Sequence, residues 1–153
     1  MGSGTILDTA RLRYGLSEHF KVAQGNIHAY VFGEHGDTSF IPWTGAYISG
    51  LSTDEYYEEM KAHGKDVKPL DKEAMLEYVQ KSGGKVIAKK GATFYAVSAT
   101  VCQLVGLILA ASDSLATVSS MLHGEYGIED VCLSTLTLVA VSYTHLTLPT
   151  ILR

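Results

Sequence analysis

The sequence predicts an α+β domain, and three observations lead there. Residues 5–20, "TILDTARLRYGLSEHF", repeat apolar side chains at helical spacing; "IHAYVF" at 27–32 is a β-rich apolar run; and residues 116–139 hold two β-rich runs about a Gly-Glu-Tyr-Gly turn. At 153 residues, 46% of them hydrophobic, the chain has the size of one domain and the apolar mass for a sizeable core.

The elements follow in order. Ile6, Leu7, Ala10, Tyr14 and Ser17 fall three and four apart, which predicts a first helix with those residues on its apolar face. Gly25 and Asn26 make a turn, and the following strand delivers the chain to Gly33, so "GEHGD" is a loop at a strand's carboxyl end. "TGAYISGLS" reads as one short strand with glycines at its margins, and "STDEYYEEMKAHGKDVKP" as a solvated helix or excursion. Asp71 is an N-cap for the helical "KEAMLEYVQK"; Gly83-Gly84 interrupts that helix, which resumes in "KVIAKKGA" before Gly91. Residues 93–112, "TFYAVSATVCQLVGLILAAS", are apolar on nearly every side and predict a helix buried within a larger assembly. A hairpin then spans 116–139. The sequence holds no internal repeat or low-complexity segment.

Charge and cysteine usage narrow the partners. A net charge of −4, with lysine and arginine spread along the chain, gives no footprint for nucleic acid or an anionic membrane, and neither is expected as a partner. Cys102 and Cys132 lie far apart in apolar segments without ligand spacing, so they read as buried thiols of a reducing compartment, and the expected location is cytoplasmic. No N-terminal run has the charged start and apolar middle of a signal peptide, and Gln103, Ser112 and Asp113 break the longest apolar stretch, so neither secretion nor membrane spanning is expected.

The last residues, "VSYTHLTLPTILR", do not continue the pattern. Much of the stretch can be back-translated into a transposase mosaic-end adapter of a sequencing library. The expected boundaries are therefore a domain at 2–139 and a non-native tail at 140–153, with no function assigned to His145.

Few residues suggest chemistry on their own. Asp8 and Arg11 are three apart on the first helix and project from one face, as a surface ion pair would or as two groups of one cleft would. His35 lies in a glycine-flanked loop where backbone can approach a ligand, and histidine titrates nearest neutral pH. Metal binding is not expected, because His28 and His35 are seven apart in different elements with no zinc-site spacing.

Four segments taken together say more: "GSGTILDTARLRY", "HAYVFGEHGD", "KKGATFYAV" and "HGEYGIEDVCLS". Their order and spacing resemble the C-terminal, substrate-binding half of the NAD-dependent L-lactate dehydrogenases, within the lactate/malate dehydrogenase superfamily, over nearly all of residues 2–139. The resemblance implies helices packed on a twisted antiparallel sheet, a homotetramer, and reversible reduction of pyruvate to L-lactate with NADH in glycolysis and fermentation. It implies that His35 is the acid/base and Asp8 its carboxylate partner. It further implies that Arg11 clamps the substrate carboxylate, and that Asp8, Thr9, Ala10 and Thr93 line the substrate site. Arg13 and His28 match residues that bind fructose 1,6-bisphosphate in allosteric bacterial members. The implied roles suit the chemistry. A protonated histidine neutralises charge growing on the carbonyl oxygen, an adjacent aspartate favours the imidazolium, and arginine offers a planar fork for a carboxylate.

Departures from the family pattern set further expectations. No GxGxxG element is present, "MGSGT" having neither the preceding strand nor the glycine spacing, so NAD would be held mainly by a missing N-terminal domain, with at most a contact at His35. Leu136 stands where the family usually has proline. The chain is thus expected to be truncated at both ends and inactive alone. The alternatives are a malate or other 2-hydroxyacid dehydrogenase fragment, or a noncatalytic anion-binding module using Arg11, Arg13 and His28.

Overall fold

The computed structural model describes residues 1–110 and 113–139, together with the backbone of 146–147. The expected foreign tail, His145 included, lies outside the described residues, except that the backbone of Leu146–Thr147 pairs with Thr137 and Leu138. Helices α1 (Ile6–Phe20), α2 (Thr53–Ala62), α3 (Lys72–Lys90) and α4 (Tyr95–Leu109) pack around two small antiparallel sheets. One sheet joins β1 (Ile27–His28), β2 (Tyr47–Ile48) and β3 (Leu51–Ser52); the other joins β4 (Ser114–His123), β5 (Glu129–Val139) and β6 (Leu146–Thr147). This is the α+β arrangement the sequence predicts.

Helix α1 forms where expected but turns a different face inward. It buries Asp8, Thr9, Leu12, Leu16 and Phe20, whereas Tyr14, placed on the apolar face by sequence, is 49% exposed. Polar side chains displaced the pattern because their hydrogen-bonding groups are satisfied. Thr5 Oγ1 donates to the Val31 carbonyl at 2.5 Å, and the Val31 amide donates to Thr9 Oγ1 at 3.0 Å. A buried threonine whose hydroxyl is bonded carries little penalty and leaves its methyl in the core.

Those same bonds explain why the predicted strand at 27–32 pairs only at Ile27 and His28. Val31 has both backbone groups engaged by α1, and Arg13 Nε donates to the Ala29 carbonyl at 3.1 Å, so the segment is stitched to a helix rather than to a neighbouring strand. Beyond it, Phe32 and Phe40 pair across the His35 loop, and Gly33 exchanges both backbone bonds with Ser134 of β5. Alternation survives: Ile27, Ala29 and Val31 are buried beside Leu12, Leu16 and Phe20 in the main core.

Three further expectations are corrected. "TGAYISGLS" forms two strands, β2 and β3, not one, because Ser49 and Gly50 both adopt positive φ (51° and 91°) and close a two-residue turn that glycine favours. Gly83-Gly84 does not interrupt α3, which runs unbroken from its Asp71 cap, whose side chain accepts from the Ala74 amide, to Gly91. Glycine in a helix interior costs only ~1 kcal/mol relative to alanine, and nineteen residues of helix absorb it. Cys102 and Cys132 are free thiols but exposed, not buried, since they lie on the outer faces of α4 and β5. The hairpin is confirmed as β4 and β5, with a bulge between Leu122 and His123.

Candidate active site

Asp8 is the centre from which the site is built. It is 3% exposed in the first turn of α1, and its two carboxylate oxygens have separate partners. Oδ1 accepts from an Arg11 guanidinium nitrogen at 2.8 Å, and Oδ2 accepts from His35 Nδ1 at 2.5 Å. A carboxylate so deeply buried is tolerable because a cation and an imidazole N–H compensate it. The helix supplies the first contact through its i,i+3 geometry; the stitching of residues 29–33 to α1 supplies the second, by holding the loop that carries His35 over the helix.

The outcome is an asymmetric arrangement. With Nδ1 committed to Asp8, Nε2 is the ring nitrogen left for proton exchange, on a side chain that remains 59% exposed. Arg11 spends one N–H on Asp8 and keeps the rest of its fork. Thr93 joins these three residues around one cavity of about 240 Å³, closed along one side by α3 through Gln80, Gly83, Gly84 and Ile87. An oxygen-bearing anion in this cavity would meet a guanidinium, an imidazole and a hydroxyl within one small volume.

Not every predicted residue comes to this cavity. Thr9 turns inward, sharing a hydrogen bond with Thr117 Oγ1 at 3.1 Å, and exposed Ala10 lines a separate cavity of about 300 Å³ beside α4. Arg13 lines that second cavity too, its guanidinium 4.9 Å from the Tyr30 ring centre. His28 is exposed in β1 opposite Tyr47 and lines neither cavity, so the structure does not gather Arg13 and His28 into one pocket.

Sequence reasoning missed the α3 wall. Positions 80, 83, 84 and 87 form one face of a helix, a stripe that is legible once the helix is read as continuous through its glycines.

Among the described residues no cluster of histidine, cysteine and carboxylate side chains could hold a metal ion. Nor does the glycine-containing start form a dinucleotide cradle. Gly2 exchanges backbone bonds with Ser119, and a Cβ on Gly4 would collide with Ser134 Oγ and the Ser119 amide. That close packing of Gly4 leaves no room for a pyrophosphate. No helix among the described residues is long and apolar enough to cross a membrane.

Comparison with known proteins gives one consistent result. The lactate/malate dehydrogenase alpha/beta C-terminal domain matches residues 5–144. The L-lactate dehydrogenase of Acetivibrio thermocellus is 45% identical over 142 residues, which are 93% of this chain and 44% of that protein. L-lactate dehydrogenase 1 of Clostridium acetobutylicum is 43% identical over the same share of each chain. Among solved structures, an L-lactate dehydrogenase from Clostridium thermocellum superposes with a TM-score of 0.82 at 34% identity, and a lactate dehydrogenase from a Medee basin deep-sea metagenome library with 0.88 at 28%. Each alignment covers 97% of this chain and 46% of the other. The chain therefore spans less than half the length of the relatives it matches.

Proposed function

We propose that this chain, which belongs to the lactate/malate dehydrogenase family, is the substrate-binding half of an NAD-dependent L-lactate dehydrogenase that interconverts pyruvate and L-lactate. The observation that carries the reading is the Asp8 carboxylate bridging Arg11 and His35 beside Thr93. In this reading the free part of the Arg11 fork binds the carboxylate of a 2-oxo acid, and Thr93 packs against its other end. His35 gives its proton to the carbonyl oxygen as charge develops there, a contribution of roughly 10² to 10⁴ in rate. Asp8 holds the ring in the tautomer that keeps Nε2 facing this task. The glycine-containing start, the one glycine-rich turn the family pattern would use, is packed against Ser119 and Ser134 and is not a dinucleotide cradle, so in this reading the reductant is held mainly by a further domain of the complete protein and the chain alone does not turn over.

Steady-state NADH oxidation tests this. The complete protein that carries this chain is expected to reduce pyruvate, and the 153 residues alone to show no measurable turnover. Absence of pyruvate reduction by the complete protein would defeat the proposal, and turnover by the chain alone would defeat its second half.

In the same reading the complete protein is a cytoplasmic homotetramer. Arg13, whose Nε reaches the Ala29 carbonyl next to His28, and His28 itself are the phosphate ligands for a fructose 1,6-bisphosphate effector. Activation by the bisphosphate that survives unchanged in Arg13→Gln would remove this last assignment.

A further inference from the structure

The loop that carries His35 is almost wholly solvent-facing. Residues 34–38 are all exposed, so packing does not hold them, and within the loop only local bonds are made, such as Thr38 Oγ1 to Glu34 at 2.7 Å. The loop's two ends are fixed by the Phe32–Phe40 and Gly33–Ser134 backbone pairs. Between those ends, His35 itself reaches out to Asp8, but nothing in that contact fixes residues 36–39.

One side chain from outside does. Gln80, on α3, directs its Nε2 at the Asp37 carbonyl (3.0 Å), the Ser39 carbonyl (3.1 Å) and Ser39 Oγ (3.4 Å). Ser39 is 4% exposed and passes the restraint on by donating from Oγ to the Gly36 carbonyl, next to His35. Gln80 also lines the same cavity as His35 and Arg11, one helical turn from Gly83. Among the described residues no other side chain from a different element hydrogen-bonds to residues 36–39; the neighbouring Lys81 ammonium on α3 acts on the loop only through its charge attraction to Asp37.

We infer that Gln80 is a positioning residue: its amide donors tie the downstream arm of the His35 loop to α3 and so fix where the imidazole stands over the cavity. The inference rests on the reading of His35 as the acid/base. Proton transfer tolerates misplacement of only a fraction of an ångström before rate is lost, so a donor that never touches substrate still sets turnover. Gln80 is not a catalytic residue in this account. Its position on the cavity wall also means that whatever fills the cavity presses on the same helix that holds the loop.

Three variants test this: Gln80→Leu removes the amide, Gln80→Glu keeps length while replacing donors by acceptors, and Gln80→Arg keeps N–H donors on a side chain long enough to reach. Hydrogen exchange by mass spectrometry on the 153-residue chain is expected to show the amides of residues 36–40 exchanging about tenfold faster in Gln80→Leu and Gln80→Glu, with β4–β5 unchanged and Gln80→Arg near wild type. In the complete protein, kcat for pyruvate is expected to fall about tenfold in the first two variants with KM moved less than twofold, and Gln80→Arg to recover it. Unchanged exchange in Gln80→Glu, or a loss borne by KM with kcat intact, overturns the inference. If Gln80→Leu fails to fold, the Glu and Arg variants decide the matter, since both keep a long side chain and differ in donors. A wild-type complete protein without pyruvate turnover would defeat the proposed function instead, while the exchange measurement would still judge the clamp.

Discussion

Arg11 occupies a position where charge and shape are both committed. Its contact with buried Asp8 fixes one edge of the guanidinium, and the edge that remains is a planar pair of donors matched to the two oxygens of a carboxylate. Lysine carries the charge without the fork. Arg11→Lys in the complete protein is therefore expected to raise KM for pyruvate at least about tenfold, the loss of a charge-assisted hydrogen bond worth ~1.5–3 kcal/mol, with a smaller change in kcat. A KM within twofold of wild type would show that Arg11 does not bind the substrate carboxylate. At this scale the sequence was informative about Asp8, Arg11, His35 and Thr93, which the structure gathers around one cavity. Thr9 and Ala10, which the resemblance groups with them, lie outside that cavity in this chain. Each residue advances the direction by about 100°, so Thr9 points into the core and Ala10 toward the opposite cavity.

Between elements, the coupling of α1 to the segment 27–33 is what places Asp8 opposite His35, and two threonines make it. Thr9→Val preserves shape but leaves the buried Val31 amide without its acceptor, and is expected to destabilise the chain by ~1–3 kcal/mol. Urea unfolding followed by circular dichroism measures it; an unchanged midpoint would mean the amide finds another partner. Helix α2 gives a pH-dependent counterpart. Glu55 accepts from the Ser52 hydroxyl (2.7 Å) and the Ser52 amide (2.9 Å), which together hold its carboxyl below the ordinary value of 4.5. The folded state therefore binds this proton less readily than the unfolded chain does. The stabilisation is fully present above pH 4.5 and is lost as pH falls through the lowered value, so acid is expected to fray the start of α2, an effect absent in Glu55→Gln. Amide exchange of residues 53–56 below and above pH 4.5 reads this directly.

Element existence was legible wherever periodicity was long, as in α1 and the β4–β5 hairpin. Element detail was not. The β1 segment looked like a longer strand because a hydrophobicity pattern records burial, not which backbone partner is used, and α3 looked broken because a glycine pair marks a local cost that a long helix can absorb.

On the scale of the molecule, the most informative surface is α4. Val97, Val101, Val105 and Leu109 repeat every four residues on a helix face and are all exposed, Leu109 at 77%. Such an exposed apolar stripe marks a surface that another body covers. The sequence predicted that helix to be buried in a larger assembly, and within these residues it is not covered. The isolated chain is accordingly expected to self-associate in a concentration-dependent way by sedimentation, and Val101→Lys with Val105→Glu to weaken that association. A monodisperse monomer at high concentration would contradict the view that this face is an interface. The shared length tells the same story, since relatives of similar sequence are more than twice as long.

The central claim is that His35, held by Asp8, is the proton donor and acceptor for a 2-oxo acid in the complete protein. Comparing steady-state pyruvate reduction by the complete protein with that of its His35→Asn variant tests it most directly. The account predicts that kcat falls by roughly 10² to 10⁴ while the protein stays folded. A variant that keeps kcat within a few-fold of wild type would contradict it.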